Sequence, residues 1–197
     1  MADVVISPAT ADRFDDAEHA LSGGGDGHSC QCQWWTITNA EWQQSSLDDR
    51  RELLRGEMQT ATPPALIAYV DGEAAGWVRV GPRAPLRRLP RTRDIAKATP
   101  VPLEDPGVWA VTCFVVRREH RRSGLNAKLL AAAVDFAREH GARLVEAYPI
   151  DTRVSRSSAN QLFRGILSVF EDAGFHEVAR PKPDRAIVAL DLEAEAS

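Results

Sequence analysis

The segment from Trp109 to Tyr148 constrains this chain more than any other. A continuous apolar run, Trp109-Ala-Val-Thr-Cys-Phe-Val-Val116, reads as a strand covered on both faces. It is followed by a charged turn containing Arg121-Arg122-Ser123-Gly124. From Ser123 to His140 the spacing predicts an amphipathic helix. Leu125, Leu129, Ala133, Phe136 and Ala137 form one stripe, and Gly141 stands as the C-terminal cap. Leu144 to Tyr148 then reads as a second strand, stopped by Pro149. A buried strand, a glycine turn flanked by arginines and a helix make a cradle for a diphosphate. The first amides of a helix have no partner within it, and the helix dipole favours anions there. Gly124 lets the backbone approach an anion closely, and Arg121 and Arg122 can add charge-assisted bonds to phosphate oxygens.

The rest of the chain supplies a plausible frame for this unit. Val4 to Ile6 reads as a first strand and Thr10 to Leu21 as a helix with Phe14, Ala17 and Leu21 on one side. Ser46 can cap a helix over Leu47 to Gln59, with Asp48 and Asp49 in its first turn. Ala65–Tyr69 and Ala74–Val80 read as a hairpin turning at Asp71-Gly72. Residues 81–107 hold six of the twelve prolines and show no period, so they read as mostly loop. Residues 149–158 read as loop and Gln161 to Ala173 as a helix ended by Gly174. Phe175–Ala179 and Ala186–Leu192 close the chain as strands. No internal repeat or second domain is visible, so residues 1–197 are expected to form one domain.

Composition narrows the partners. With 24 Lys and Arg against 28 Asp and Glu the net charge is −4, so bulk electrostatics give no reason to expect nucleic acid. No apolar run approaches a membrane span and no secretory signal is visible at the amino terminus. Three cysteines do not make a disulfide framework. The expectation is a cytoplasmic protein with reduced thiols.

The turn resembles a known motif. Val116, four residues, Arg121-Arg122-Ser123-Gly124-Leu125-Asn126 is similar to the coenzyme A motif of the GCN5-related N-acetyltransferases, the GNAT family. That motif reads Val, four residues, Arg or Gln, two residues, Gly, one residue, Gly or Ala, and Asn126 departs from its last position. Phe170-Glu-Asp-Ala-Gly174-Phe175 is similar to the family's late helix, which typically ends Tyr, three residues, Gly, Phe. The resemblance implies an α/β domain of the α+β type: a twisted mixed sheet, mostly antiparallel, flanked by helices and splayed between the strands at 109–116 and 144–148. It implies acetyl-CoA as co-substrate, no metal, and direct attack of an acceptor amine on the thioester. The pantetheine would pair with the backbone of Phe114, Val115 and Val116. The diphosphate would meet the amides of Arg121, Arg122, Ser123, Gly124, Leu125, Asn126 and Ala127.

Catalytic groups are less determined. The family's usual proton-donating tyrosine is Phe170 here, so Tyr148 is a candidate donor; the alternative is a half-buried tyrosine with a satisfied hydroxyl. Glu146, two residues earlier on the same strand face, is a candidate general base, since a carboxylate in an apolar setting has a raised pKa. Its alternative role is as the ion-pair partner of an arginine such as Arg153 or Arg156. His28-Ser-Cys30-Gln-Cys32 has too few ligands at too close a spacing for structural zinc. Trp34, Trp35 and Trp42 just after it could wall an acceptor pocket, with core packing as the alternative. Gly23-Gly24-Gly25 reads as flexibility. The seven basic residues Arg79, Arg83, Arg87, Arg88, Arg91, Arg93 and Lys97 read as a solvated loop, with an anion site as the alternative. Cys113 reads as a small buried hydrophobe. The acceptor expected is a small-molecule amine. A protein or peptide amine, and a non-catalytic acyl-CoA sensor, are the competing readings, and a homodimer is compatible with the sequence.

Overall fold

The computed structural model describes residues 2–154 and 160–192, whose strands form one seven-stranded sheet. In chain order the elements are β1 (Val4–Pro8), α1 (Phe14–Leu21), α2 (Gly27–Cys30), α3 (Asn39–Gln44), α4 (Leu47–Met58), β2 (Ala65–Val70), β3 (Glu73–Pro82) and α5 (Arg93–Ala98). There follow β4 (Val108–Val116), α6 (Leu125–Glu139), β5 (Leu144–Ala147), α7 (Leu167–Asp172), β6 (His176–Lys182) and β7 (Arg185–Asp191). The strand order is β1-β2-β3-β4-β5-β7-β6, antiparallel throughout except for β4 with β5. The twisted, mostly antiparallel mixed sheet expected from the sequence is the architecture observed.

Local chemistry explains the elements that position the site. Asp71 and Gly72 both have positive φ, +50° and +86°, as a two-residue hairpin of the primed type requires. Asp71 also accepts the Asp3 N–H at 2.8 Å, which fastens β1 to the hairpin. Helix α6 buries its predicted stripe, together with Leu130 and Val134, against β2, β3 and β4. Its end is a Schellman cap: Ala142 N–H reaches Ala137 C=O at 3.0 Å, Gly141 N–H reaches Arg138 C=O at 3.1 Å, and Gly141 has φ +79°. Gly76 lets the helix sit close, because a Cβ there would lie 3.1 Å from Leu129 Cδ1.

Strand β4 is buried on both faces, but not by simple alternation. Arg79 of β3 faces Cys113 and the next residue, Val80, faces Val111, so Thr112 is an extra, bulged residue. Trp109, Val111 and Phe114 accordingly face α6, while Cys113 and Val115 face α1 and Trp77. On its other edge β4 pairs with β5 only over Val108–Val111, opposite Leu144–Ala147. Among the described residues no strand lies beside that edge from Thr112 to Val116, which is the expected splay.

Several expectations need correction. The late helix does not begin at Gln161. A 3-10 turn at Leu162–Arg164 is cut off by Gly165 at φ +86° and an extended Ile166, and α7 starts only at Leu167. Residues 81–107 contain α5, and α2 and α3 are short helices between α1 and α4 that the sequence reading does not include. Helix α3 is held by a capping box between Thr38 and Glu41, a local device with no apolar period to reveal it.

Two glycines predict opposite outcomes. A Cβ at Gly165 would lie 2.6 Å from Phe170 Cε2 at a positive φ, so Gly165→Ala should destabilise the fold by about 1–3 kcal/mol. Gly56, exposed in α4 with nothing within 4 Å of its added Cβ, should gain about 0.5–1 kcal/mol as Gly56→Ala. Urea denaturation midpoints of the two variants test the pair.

Candidate active site

The turn between β4 and α6 presents its backbone outward. Arg122 takes φ +63° and Gly124 φ +78°, alternating hands that turn successive amides toward one concavity. The Arg121 amide bonds Arg118 C=O at 3.4 Å and the Ala127 amide bonds Gly124 C=O at 3.1 Å. Among the described residues no protein group accepts from the five amides between them, those of Arg122, Ser123, Gly124, Leu125 and Asn126. The seven-residue range expected from the sequence thus narrows to five, because its two ends are spent on the turn itself. Glycine at 124 is required by its φ; an added Cβ there would meet no atom within 4 Å and would stand in open space.

Side chains around the turn divide by role. Arg121 Nε donates to Val116 C=O at 3.2 Å, so this guanidinium braces the strand end at the cavity wall. Ser123 Oγ donates to His120 C=O at 2.6 Å and stabilises the turn. Arg122 is exposed. Two buried atoms on the cavity wall, Asn126 Oδ1 and His120 Nε2, have no hydrogen-bond partner among the described residues. His120 was not legible as a site residue from the sequence.

The glycine run after α1 is packed, not slack. Gly23 C=O accepts the Arg118 N–H at 3.2 Å, and a Cβ at Gly23 would lie 2.3 Å from Arg117 Cγ. One at Gly24 would lie 2.5 Å from Arg121 Nη2. The absence of side chains lets this loop lie flat against the phosphate turn, which corrects the reading of the run as mere flexibility.

A cavity of about 780 Å³ extends from that turn along the unpaired edge of β4. Cys113, Phe114, Val115 and Val116 line it, and alternate backbone groups of an antiparallel strand face away from its partner, here into the opening. Trp34, Trp35 and Trp42 form an aromatic wall, with Trp34 and Trp42 edge to face at 5.1 Å. Cys30 and Cys32 also reach the cavity. Among the described residues no three His, Cys, Asp or Glu side chains stand close enough to hold a metal ion.

Glu146 and Tyr148 share a face, as expected, but neither lines the cavity. Glu146 is fully buried and both its oxygens are occupied. Oε1 accepts from Arg83 Nη1 at 3.0 Å and from the Tyr148 hydroxyl at 2.5 Å, and Oε2 accepts from Thr99 Oγ1 at 2.7 Å. Burial and then the neighbouring Glu146 carboxylate push the Tyr148 hydroxyl well above its ordinary pKa. Its ring lies 5.9 Å from that of Trp35. This geometry fits the ion-pair alternative and a satisfied tyrosine hydroxyl, not a base and an acid facing a substrate.

The arginine that pairs with Glu146 is Arg83, from the stretch read as a solvated loop. Arg153 instead pairs with Asp151 at 2.8 Å and Glu171 at 3.1 Å, and Arg156 lies outside the described residues. Arg79, Arg83 and Arg88 of that basic stretch are all buried. Arg79 forks onto Glu57, and Arg88 lies 3.9 Å over the Trp34 ring. Phe170 is buried between Phe114 and Phe175, with ring centroids at 6.0 and 5.2 Å, and fills the core without a hydroxyl.

Solved structures share the fold. The N-acetyltransferase from Staphylococcus aureus Mu50 superposes with a TM-score of 0.56 at 16% identity, over 96% of this chain and 99% of that one. The protein yncA from Salmonella typhimurium, whose structure contains its cofactor acetyl-CoA, gives 0.53 at 16% identity, over 98% and 96%. Ribosomal-protein-alanine N-acetyltransferase from Brucella melitensis gives 0.55 at 18%, over 95% and 99%. At such identities the likeness is one of fold. No curated protein sequence is significantly similar to the chain. Residues 30–166, most of the sequence and all of the turn just described, match the Acetyltransferase (GNAT) family, and the chain belongs to that family.

Proposed function

We propose that this protein transfers the acetyl group of acetyl-CoA to an amine of a small molecule by direct attack on the thioester. The carrying observation is the row of five unaccepted amides, Arg122 to Asn126, four of whose residues (all but Ser123) line a cavity that runs along a strand edge without a β5 partner. A diphosphate satisfies the amides. A pantetheine arm would lie along Phe114, Val115 and Val116 and pair with the backbone groups there that face away from β3, as a further strand would. Arg121 and Arg122 stand beside the diphosphate with Ser123 holding the turn, while Leu125 anchors the helix start in the core. No residue needs to be acylated: the amine nitrogen bonds to the thioester carbon, the carbon–sulfur bond breaks, and the amine sheds a proton.

A small acceptor is supported by the walls. Trp34, Trp35 and Trp42 enclose the cavity with rigid apolar faces, where a peptide acceptor would want an open groove. We place the reaction in the cytoplasm on the strength of three free cysteines, and treat residues 1–197 as one domain. Among the described residues no helix is long and apolar enough to cross a membrane. We assign Glu146 and Tyr148 to holding residues 81–107 against β5.

Acetyl-CoA at a hundred times its Kd should stabilise the protein by about 2.7 kcal/mol, a rise in Tm of about 5–10 °C. Gly124→Val should lose this shift, because a branched side chain cannot hold the left-handed turn and would enter the open space before the amides. No shift with the wild type at saturation would count against the assignment. Thiol release across a panel of small amines and peptides then reads the acceptor class; binding without turnover on any of them would favour a sensor.

For Glu146, the measurement is stability against rate. Glu146→Ala leaves Arg83 buried without its carboxylate and should cost about 3–5 kcal/mol. A variant as stable as the wild type but slower by orders of magnitude would restore the general-base role.

A further inference from the structure

We propose that Cys32 and Cys113 work as a proton-relay pair, Cys32 taking the proton of the incoming ammonium and Cys113 giving one to the departing coenzyme A thiolate. This rests on the acetyl-transfer reading above. It supplies the two proton-handling groups that Glu146, Tyr148 and Phe170 do not.

The placement comes from two separate parts of the chain. Cys113 directly precedes Phe114–Val116 on β4, and the bulge at Thr112 turns it to the face that it shares with Val115. Cys32 comes from the loop after α2. There Gln31 and Cys32 are consecutive non-glycine residues at φ +47° and +57°, a conformation L residues avoid and a buried site must hold in place. Both residues line the cavity, and both belong to the same buried cluster with Trp77.

The surroundings of Cys32 favour its thiolate. Trp77 Nε1 donates to Cys32 Sγ at 3.2 Å. Arg79, buried beneath it, donates to the Cys32 carbonyl at 3.3 Å and to Glu57 at 3.1 Å. The charged and titratable groups facing Cys32 are Cys113 from β4, Arg79 from β3, Glu57 from α4 and Cys30 from its own loop. Burial opposes ionisation, but the Cys113 hydrogen bond, the Arg79 charge and the Trp77 N–H together hold the Cys32 thiol below the ordinary cysteine value. The bond to Cys32, and then burial, push Cys113 well above it. Cys30 is raised to about 11 by burial and by Cys32, so it stays a thiol. These opposite shifts make Cys32 the readier proton acceptor of the two and Cys113 the donor.

The cycle balances. Cys32 thiolate takes a proton from the ammonium, leaving a free amine whose lone pair forms the carbon–nitrogen bond. Expulsion of the coenzyme A thiolate breaks the carbon–sulfur bond, and the Cys113 thiol protonates it. The second amine proton leaves to water. The proton on Cys32 then passes across the hydrogen bond to Cys113, which restores the starting pair. Loss of the Cys32 charge in the first step makes Cys113 the stronger acid when the leaving group needs it.

The experiment is a pH–rate series on Cys32→Ala, Cys113→Ala and Cys113→Ser with an amine that the wild type acetylates, beside thiolate absorbance at 240 nm of the wild type and Cys32→Ser. Cys32→Ala should lose about a hundredfold in kcat at neutral pH. Its rate should climb tenfold per pH unit toward the pKa of the acceptor, because only amine already deprotonated in solution can react. KM for acetyl-CoA and the thermal shift that it produces should change less than twofold. Cys113→Ala should slow the reaction and Cys113→Ser restore part of the rate. Near pH 7.5 the wild type should carry one thiolate equivalent that Cys32→Ser lacks. A Cys32→Ala enzyme with the wild-type pH profile and rate, or equal absorbance in Cys32→Ser, would overturn the relay and leave acetyl transfer standing. Failure of the wild type to bind acetyl-CoA or acetylate any amine would overturn both.

Discussion

Past Val111 the backbone of β4 keeps its β3 partner and loses its β5 partner. Backbone groups removed from water need hydrogen bonds, and a sheet normally supplies them from the neighbouring strand. Here five residues of a buried strand end without that neighbour, directly before a turn whose own amides lack acceptors. Two runs of unspent hydrogen-bonding capacity thus lie end to end. A ligand with an amide-bearing arm and a diphosphate head is complementary to both, and the same loss of pairing leaves open the space that such an arm would occupy.

The bulge at Thr112 is the second structural decision. One extra residue changes which side chains of β4 enter which layer, so that Phe114 joins the core under α6 while Cys113 reaches the cavity. Without it, strict alternation from Val111 would put Cys113 on the α6 side and Phe114 in the path of a ligand. The packing of Phe170 follows from this placement. Its ring meets Phe114 from below and fills a position where a hydroxyl would be buried without purpose.

Legibility in the sequence followed the range of the interactions involved. The strand, turn and helix at 109–140 were readable because apolar period and glycine position are local properties, and the Asp71-Gly72 hairpin was readable for the same reason. Helices α2, α3 and α5 were not, since short capped turns carry no stripe. The partner of Glu146 was not legible either: Arg83 is distant in the chain and sits among prolines that read as loop. Nor could sequence show that Cys32 and Cys113 meet, because the contact depends on a left-handed pair of residues and on a bulge, and neither leaves a signature in residue type. Cys113 is buried in a hydrophobic cluster, as its reading as a small hydrophobe expects, and the relay proposed for it depends on a neighbour that its own residue type does not announce.

The Gly23–Gly25 run ties two parts of the protein that would otherwise act separately. Through the Arg118 amide and the flat contacts with Arg117 and Arg121, the loop leading to the tryptophan wall leans directly on the turn that would grip a diphosphate. The turn and the segment that shapes the far wall are thus one packed unit, and a side chain added at Gly23 or Gly24 would disturb both ends of the cavity.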